Sequence, residues 1–204
     1  MTGRIEKTVF ISYRRTNFYI ALAVYQDLTQ HGYDVFFDYL SIDSGDFEQL
    51  IIENIKARAH FIVILTPSAL KHCNRPGDWL RREIETALDE RRNIVPLFLD
   101  GFSFGSPSIV EKLTDKLATL KNYNGLEIPS SYFFESMERL RQRHLNISLD
   151  KVIHPLSDVM QSAVVKQQNA ASQAKKVDGK ELLAQQCFEQ GNELYAEHIR
   201  KSNK

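Results

Sequence analysis

The chain has 204 residues, 43% hydrophobic and 25% charged, enough for one domain with a real core or one domain plus an appendage. Its 26 basic and 26 acidic residues cancel, which argues against broad electrostatic capture of nucleic acid or of an anionic membrane surface. Cys73 and Cys187 suggest neither a disulfide framework nor a metal site, no apolar leader precedes the first strand, and the longest apolar run, Phe61 to Leu65, is too short for a bilayer; together these suggest a cytoplasmic chain with no membrane partner.

Thr8 to Ser12 is a short apolar run that predicts a first strand. Asn17 to Gln30 carries Ile20, Leu22, Ala23, Val24 and Leu28 in a pattern that suits a helix. His31-Gly32 stops it, glycine being the usual residue just past a helix end. Asp34 to Phe37 predicts a second strand, and a polar loop runs from Asp38 to Asp46. Phe47 to Arg58 returns to helical period through Phe47, Leu50, Ile51, Asn54 and Ile55. His60 to Thr66 is the most apolar strand and reads as buried on both faces at the centre of a parallel sheet.

Beyond Pro67-Ser68, Lys71 to Gly77 is a loop with Asn74, Pro76 and Gly77 as breakers. Asp78 is placed to cap a helix reaching about Arg91. Asn93 to Leu99 is a fourth strand, and its Pro96 predicts a place near the sheet edge or an interrupted ladder. After a loop from Asp100 to Ser108, Ile109 to Lys121 suggests a short helix and Asn122 to Ile128 a weak fifth strand. Ser131 to Leu145 predicts a last helix, with Phe133, Phe134, Met137, Leu140 and Leu145 available for packing. Strands and helices thus alternate five times, which implies a parallel sheet with helices on both faces.

Past Ile147 the texture changes. Val164 to Ala174 is rich in Gln, Ala and Ser and reads as a linker or a solvated helix. Glu181 to Tyr195 resembles the first helix of a tetratricopeptide repeat, with an isolated amphipathic tail as the alternative. The expected organisation is an α/β domain over residues 1–146, a linker over 147–179, and the first helix of a repeat region over 180–204. Such repeats would offer a site for a partner or sensor.

Ligands of open α/β sheets sit beyond the carboxyl ends of the strands, so the search for a site starts at 13–15, 38–46, 66–78 and 100–104. Trp79 and Glu83 are four apart near a helix start and share a face. Spacing alone favours a core tryptophan with a solvated glutamate. Arg14 and Arg15, straight after the first strand, could grip a diphosphate or could be solvated loop charges. No GxGxxG or GxxxxGK[ST] motif is present. The six histidines are scattered, and Cys73, near His72 and Arg75, is a minor candidate for a reactive thiol.

Several runs, taken in order, say more than any one of them. Val9-Phe-Ile-Ser-Tyr-Arg-Arg15 is followed by Asp34-Val-Phe-Phe-Asp38, Gly45-Asp-Phe-Glu48 and Phe61-Ile-Val-Ile-Leu-Thr-Pro-Ser-Ala-Leu70. Asp78-Trp-Leu-Arg-Arg-Glu-Ile-Glu-Thr-Ala-Leu88, Asn93-Ile-Val-Pro96 and Asp100-Gly-Phe102 complete the series. Over about residues 7 to 145 the chain resembles the TIR (Toll/interleukin-1 receptor) domain family. The resemblance implies a flavodoxin-like fold, a five-stranded parallel sheet with helices on both faces. The Ser-Tyr-Arg-Arg and Asp-Trp-x-x-x-Glu-Ile-x-Thr-Ala-Leu runs are most similar to the NAD⁺-cleaving members, neuronal and bacterial.

That resemblance implies a catalytic role for Glu83. It implies NAD⁺ binding by Tyr13, Arg14, Arg15, Asp38, Asp43, Phe47 and Trp79, with NAD⁺ as substrate and no cofactor or metal. It assigns self-association to the loop after the second strand, the BB loop of the family, here with Tyr39, Leu40, Ile42 and Gly45. Tyr39, Leu40 and Ile42 would form an apolar partner surface. Phe104 stands where some relatives carry a tryptophan that stacks from a neighbouring subunit. One carboxylate suits the chemistry, because nicotinamide leaves NAD⁺ neutral and needs no general acid, whereas ordinary glycosidases pair two carboxylates. The implied activity is an NAD⁺ glycohydrolase or cyclase, activated by self-association, in immune or defence signalling. The alternative is a non-catalytic scaffold that recruits other TIR domains.

Overall fold

A computed structural model describes residues 5–40, 47–75, 77–99, 101–148 and 153–179, with isolated positions as far as 191. Five strands, β1 (Thr8–Ser12), β2 (Asp34–Phe36), β3 (His60–Leu65), β4 (Asn93–Phe98) and β5 (Leu126–Glu127), pair in the order β2-β1-β3-β4-β5. Every pairing is parallel. β3 is central and every one of its residues is buried, as its unbroken apolar run requires.

Alternation along the strands builds two cores. Val9, Ile11, Ile62, Ile64, Val95 and Leu97 face one side, against Ile20, Val24 and Leu28 of α1 (Phe18–Gln30) and Phe133 and Met137 of α5 (Phe133–Arg139). Phe10, Phe61, Val63, Leu65 and Ile94 face the other. There they meet Leu50, Ile51 and Ile55 of α2 (Phe47–Lys56) and Leu80, Ile84 and Ala87 of α3 (Trp79–Asp89). Period two in the strands and period 3.6 in the helices produce this layering directly.

Pro96 sits in β4 without cost to the ladder. The Asn93 and Leu99 N–H groups both point at β3, donating to Ala59 and Leu65 carbonyls. Alternation therefore turns the Pro96 nitrogen toward β5, which pairs only with Leu97 and Phe98. The proline thus stands where β4 has no partner on its outer side, the place near the sheet edge that it predicts. The turn into β5 is close: a Cβ on Gly125 would overlap the Phe98 ring and lie 2.9 Å from the Pro96 carbonyl oxygen.

Three expectations need correction. The helix expected over Ile109 to Lys121 is divided into α4 (Pro107–Val110) and a 3-10 helix, Asp115–Asn122. Pro107 starts the first piece early. Asp115, at φ 51°, breaks the run, held by Arg81, which donates to Asp115 Oδ2 at 2.9 Å and Thr114 Oγ1 at 3.0 Å. Leu117 and Leu120, three apart, both bury, as a three-residue turn allows. Second, the last predicted helix ends in a π-helical turn, Leu140–His144, and Phe134 is 64% exposed while Phe133, Met137, Leu140 and Leu145 are buried.

Third, the stretch expected as a linker contains α6 (Asp158–Ser172), which packs on the sheet domain. Met160, Val164, Gln167 and Ala171 form its buried stripe at helical spacing. Met160 and Val164 join the α2–α3 core and Ala171 the α1 core, so the helix straddles the β2 edge. The Gln-rich composition hid a narrow apolar face. The repeat-like segment over 180–204 lies outside the described residues except for a few positions. Among the described residues no helix is long and apolar enough to cross a membrane.

Candidate functional site

In the order β2-β1-β3-β4-β5, chain connections leave β1 and β3 in opposite directions, and a crevice opens beyond their carboxyl ends. A cleft of about 570 Å³ occupies that place. The loop after β1 supplies Tyr13, Arg14, Arg15 and Thr16, and the segment after β2 supplies Asp38. The loop after β3 supplies Ser68, Lys71 and His72, the start of α2 supplies Phe47, and α3 supplies Trp79, Leu80 and Glu83.

Glu83 is placed by a cap. Asp78, in extended conformation, accepts from the Arg81 N–H at 3.0 Å and starts α3, and Glu83 then falls one turn past Trp79. From the end of β1, buried Ser12 donates its hydroxyl to Glu83 Oε2 at 2.5 Å. Dense protein around the carboxyl raises its pKa to about 7 even though the residue still opens onto the cleft. The Ser12 hydroxyl and Arg14 oppose this shift; Asp38 and Asp78 add to it. Trp79 is not a core residue: it lines the cleft with Phe47 edge-on at 5.3 Å, and the Arg82 guanidinium lies 4.7 Å from its ring centroid. The expectation from spacing alone, a core tryptophan and a solvated glutamate, is therefore wrong on both counts.

The two arginines divide. Arg14 is committed to the scaffold. It donates from Nε to the Ala69 carbonyl at 2.7 Å and from Nη2 to both Asp78 oxygens at 2.9 and 2.8 Å. Arg15 is 46% exposed and pairs with the Asp38 carboxylate. It also donates to Tyr13 Oη at 3.0 Å and the Tyr39 carbonyl at 3.3 Å. Tyr13 in turn donates to the Asp38 carbonyl at 2.7 Å, and burial pushes its phenol well above the ordinary range. Burial also raises the Asp38 carboxyl, against the pull of Arg15. Tyr13, Arg15 and Asp38 thus form one bonded wall of the cleft.

Tyr39 is not the open surface residue expected: its ring packs on Phe18 and Phe37 at 5.6 and 5.8 Å. Phe104 packs edge-on against Phe98 and Phe102, away from the cleft. Ile42, Asp43 and Gly45 lie outside the described residues. Cys73 is buried beside Asp78, and burial pushes its thiol up to about 12, so it is structural rather than reactive.

Sequence reasoning missed Ser12, Ser68, Lys71 and His72. Ser12 carried a signal, a polar residue closing an otherwise apolar strand. Lys71 and His72 carried only their place in the 66–78 loop, and the chain path after β3 turns them into the cleft. Burial, then the charges of Arg75, Arg14 and Lys71, hold the His72 ring below its usual range and favour the neutral imidazole. Among the described residues no cluster of His, Cys, Asp or Glu could hold a metal ion.

A family model described as TIR domain matches residues 9–126. The chain is similar to the NAD(+) hydrolase tir-1 of Caenorhabditis elegans, 33% identical over 61% of this chain and 13% of that protein. It is 32% identical to the NAD(+) hydrolase SARM1 of Danio rerio over 65% of this chain and 18% of that protein. The NAD(+) hydrolase sarm1 of Drosophila melanogaster is 30% identical over 68% of this chain and 10% of that protein. The matches therefore cover between a tenth and a fifth of the length of these relatives.

Proposed function

The chain belongs to the TIR domain family, and from that premise we propose that it cleaves NAD⁺ at the nicotinamide–ribose bond. The observation that carries the reading is Glu83, on the floor of a dinucleotide-sized cleft, gripped by Ser12 and walled by Tyr13, Arg15 and Trp79.

The reaction needs little of the protein. The C–N bond breaks with its electron pair going to the pyridinium nitrogen, so nicotinamide leaves neutral and a ribosyl oxocarbenium ion remains. Ionised Glu83 stabilises that positive charge and can accept from the ribose hydroxyls. The Ser12 hydroxyl, donating to Glu83, favours the ionised form and fixes the carboxylate. Arg15 supplies a partly exposed guanidinium for the diphosphate, while Arg14 acts through Asp78 on the start of α3. Phe47 and Trp79 supply aromatic surface for a ring. Water, losing a proton, completes hydrolysis to ADP-ribose; attack by an adenine nitrogen of the same molecule would instead give a cyclic product.

The reading includes activation by self-association, as part of immune or defence signalling. Its support is the family membership and the place of Asp38, where the loop after β2 begins, in the wall of the cleft. The test is chromatography of NAD⁺ incubated with the protein. One nicotinamide should appear for each NAD⁺ consumed. Absence of nicotinamide at every protein concentration would contradict the proposal and favour a non-catalytic scaffold.

A further inference from the structure

Helix α6 lies beyond the segment matched to the family model, and it carries one buried polar side chain that does not line the cleft. Gln167 is 3% exposed, and a buried amide requires partners. Its Oε1 accepts from the Leu40 N–H at 2.7 Å and its Nε2 donates to the Leu40 carbonyl at 3.1 Å. One side-chain amide therefore serves both backbone groups of one residue, as a neighbouring strand would.

Gln168 acts alongside. Its Nε2 donates to the Val35 carbonyl at 3.0 Å and to Asp34 Oδ1 at 2.5 Å. The Asp34 N–H points inward to the Lys7 carbonyl at 2.8 Å, so the Val35 carbonyl points outward from the edge strand, where α6 covers it. The same helix packs on α2, with Met160 and Val164 in the core cluster that also holds Leu50 and Ile51. Just before it, Ser157 Oγ donates to Glu53 Oε2 at 3.0 Å.

From Leu40 the bonds lead to the cleft. The preceding Tyr39 carbonyl accepts from Arg15, the Asp38 carbonyl accepts from Tyr13, and the Asp38 carboxylate pairs with Arg15. We propose that Gln167 is a positioning residue: by fixing both peptide groups of Leu40 it sets where Tyr13, Arg15 and Asp38 stand around a dinucleotide. Helix α6 is then part of the cleft's support rather than a spacer. For its effect on turnover the proposal rests on the NAD⁺ reading; its geometric part does not.

The test compares wild type, Gln167→Ala and Gln167→Glu in the full chain, by amide hydrogen exchange, the NMR signal of the Arg15 guanidinium, and nicotinamide-release kinetics. In Gln167→Ala the Leu40 amide should exchange roughly tenfold faster, with β3 amides unchanged and the Arg15 signal shifted. KM should rise about three- to tenfold, and kcat should move less than KM. In Gln167→Glu a protonated carboxyl keeps donor and acceptor, but an ionised one cannot donate to the Leu40 carbonyl. Its KM relative to wild type at the same pH should therefore approach unity as pH falls. Unchanged Leu40 exchange, an unmoved Arg15 signal, or a lower Tm with unchanged KM would overturn the proposal. If wild type releases no nicotinamide, the NAD⁺ reading fails and the exchange and Arg15 signals still decide this one. If Gln167→Ala does not fold, Gln167→Glu carries the same measurements.

Discussion

Glu83 is a carboxyl whose pKa in the folded protein, about 7, lies above its ordinary 4.5, chiefly because of burial. Between those values the folded state holds more protons than the unfolded state, so stability is lost as pH rises through this window. The loss is at most on the order of 3 kcal/mol, at 1.36 kcal/mol per unit of pKa. Glu83→Gln should therefore raise Tm over wild type above about pH 7 and leave it nearly unchanged below about pH 4.5. Differential scanning calorimetry at both ends checks this; an equal Tm difference at both would contradict it. Asp38 is raised too, so the comparison with Glu83→Gln, and not the wild-type curve alone, isolates the residue. In turnover the same ionisation predicts kcat/KM rising to a plateau above about pH 7. Cys73 gives a second residue-scale prediction. With its thiol pushed up to about 12 and buried, and Cys187 exposed, a thiol reagent should modify one cysteine in the native protein and both after unfolding. Two fast-reacting thiols in the native protein would refute that placement.

Among the elements, α3 carries most of the cleft chemistry and its start is the sensitive point. Asp78 caps the helix and also holds Arg14. Asp78→Ala should remove a cap, costing about 1 kcal/mol, and leave a mostly buried guanidinium unpaired. The total should be roughly 2–4 kcal/mol by urea denaturation, with nicotinamide release reduced as Trp79 and Glu83 lose their setting. A change below about 0.5 kcal/mol, the range of an ordinary surface substitution, would contradict the cap's place in the site. The elements also show what the sequence made legible. β3 and the Asp78 cap were readable because one local signal, an unbroken apolar run or a capping side chain before a periodic one, decides each. The division at Asp115 was not, because Arg81 fixes it from another helix. Nor was the packing of α6, read as a linker or a solvated helix: its buried stripe includes Gln167, which pattern reading counts as polar, and its partners lie more than a hundred residues away on β2 and Leu40. Arg14 and Arg15 looked alike in sequence, and only the positions of Asp78 and Asp38 in space separate the cleft arginine tied to the start of α3 from the half-exposed one beside Asp38.

At the scale of the whole molecule, strand order decides where chemistry is gathered. Residues as far apart as Ser12, Asp38, His72 and Glu83 meet because β1 and β3 are neighbours with chain connections leaving in opposite directions. The fold was legible because alternating strands and helices, together with the family resemblance, leave little else; the cleft was legible as four loops, not as bonded partners. Activation by self-association predicts that specific activity rises with protein concentration, in step with a larger sedimentation coefficient. A specific activity independent of concentration in a monomer would remove that part of the account. Whether Glu83 drives the proposed cleavage of the nicotinamide–ribose bond is decided by single-turnover nicotinamide release from wild type, Glu83→Ala and Glu83→Gln of matched folded fraction. A loss of roughly 100-fold or more is expected in both variants; rates equal to wild type in either one would refute that role.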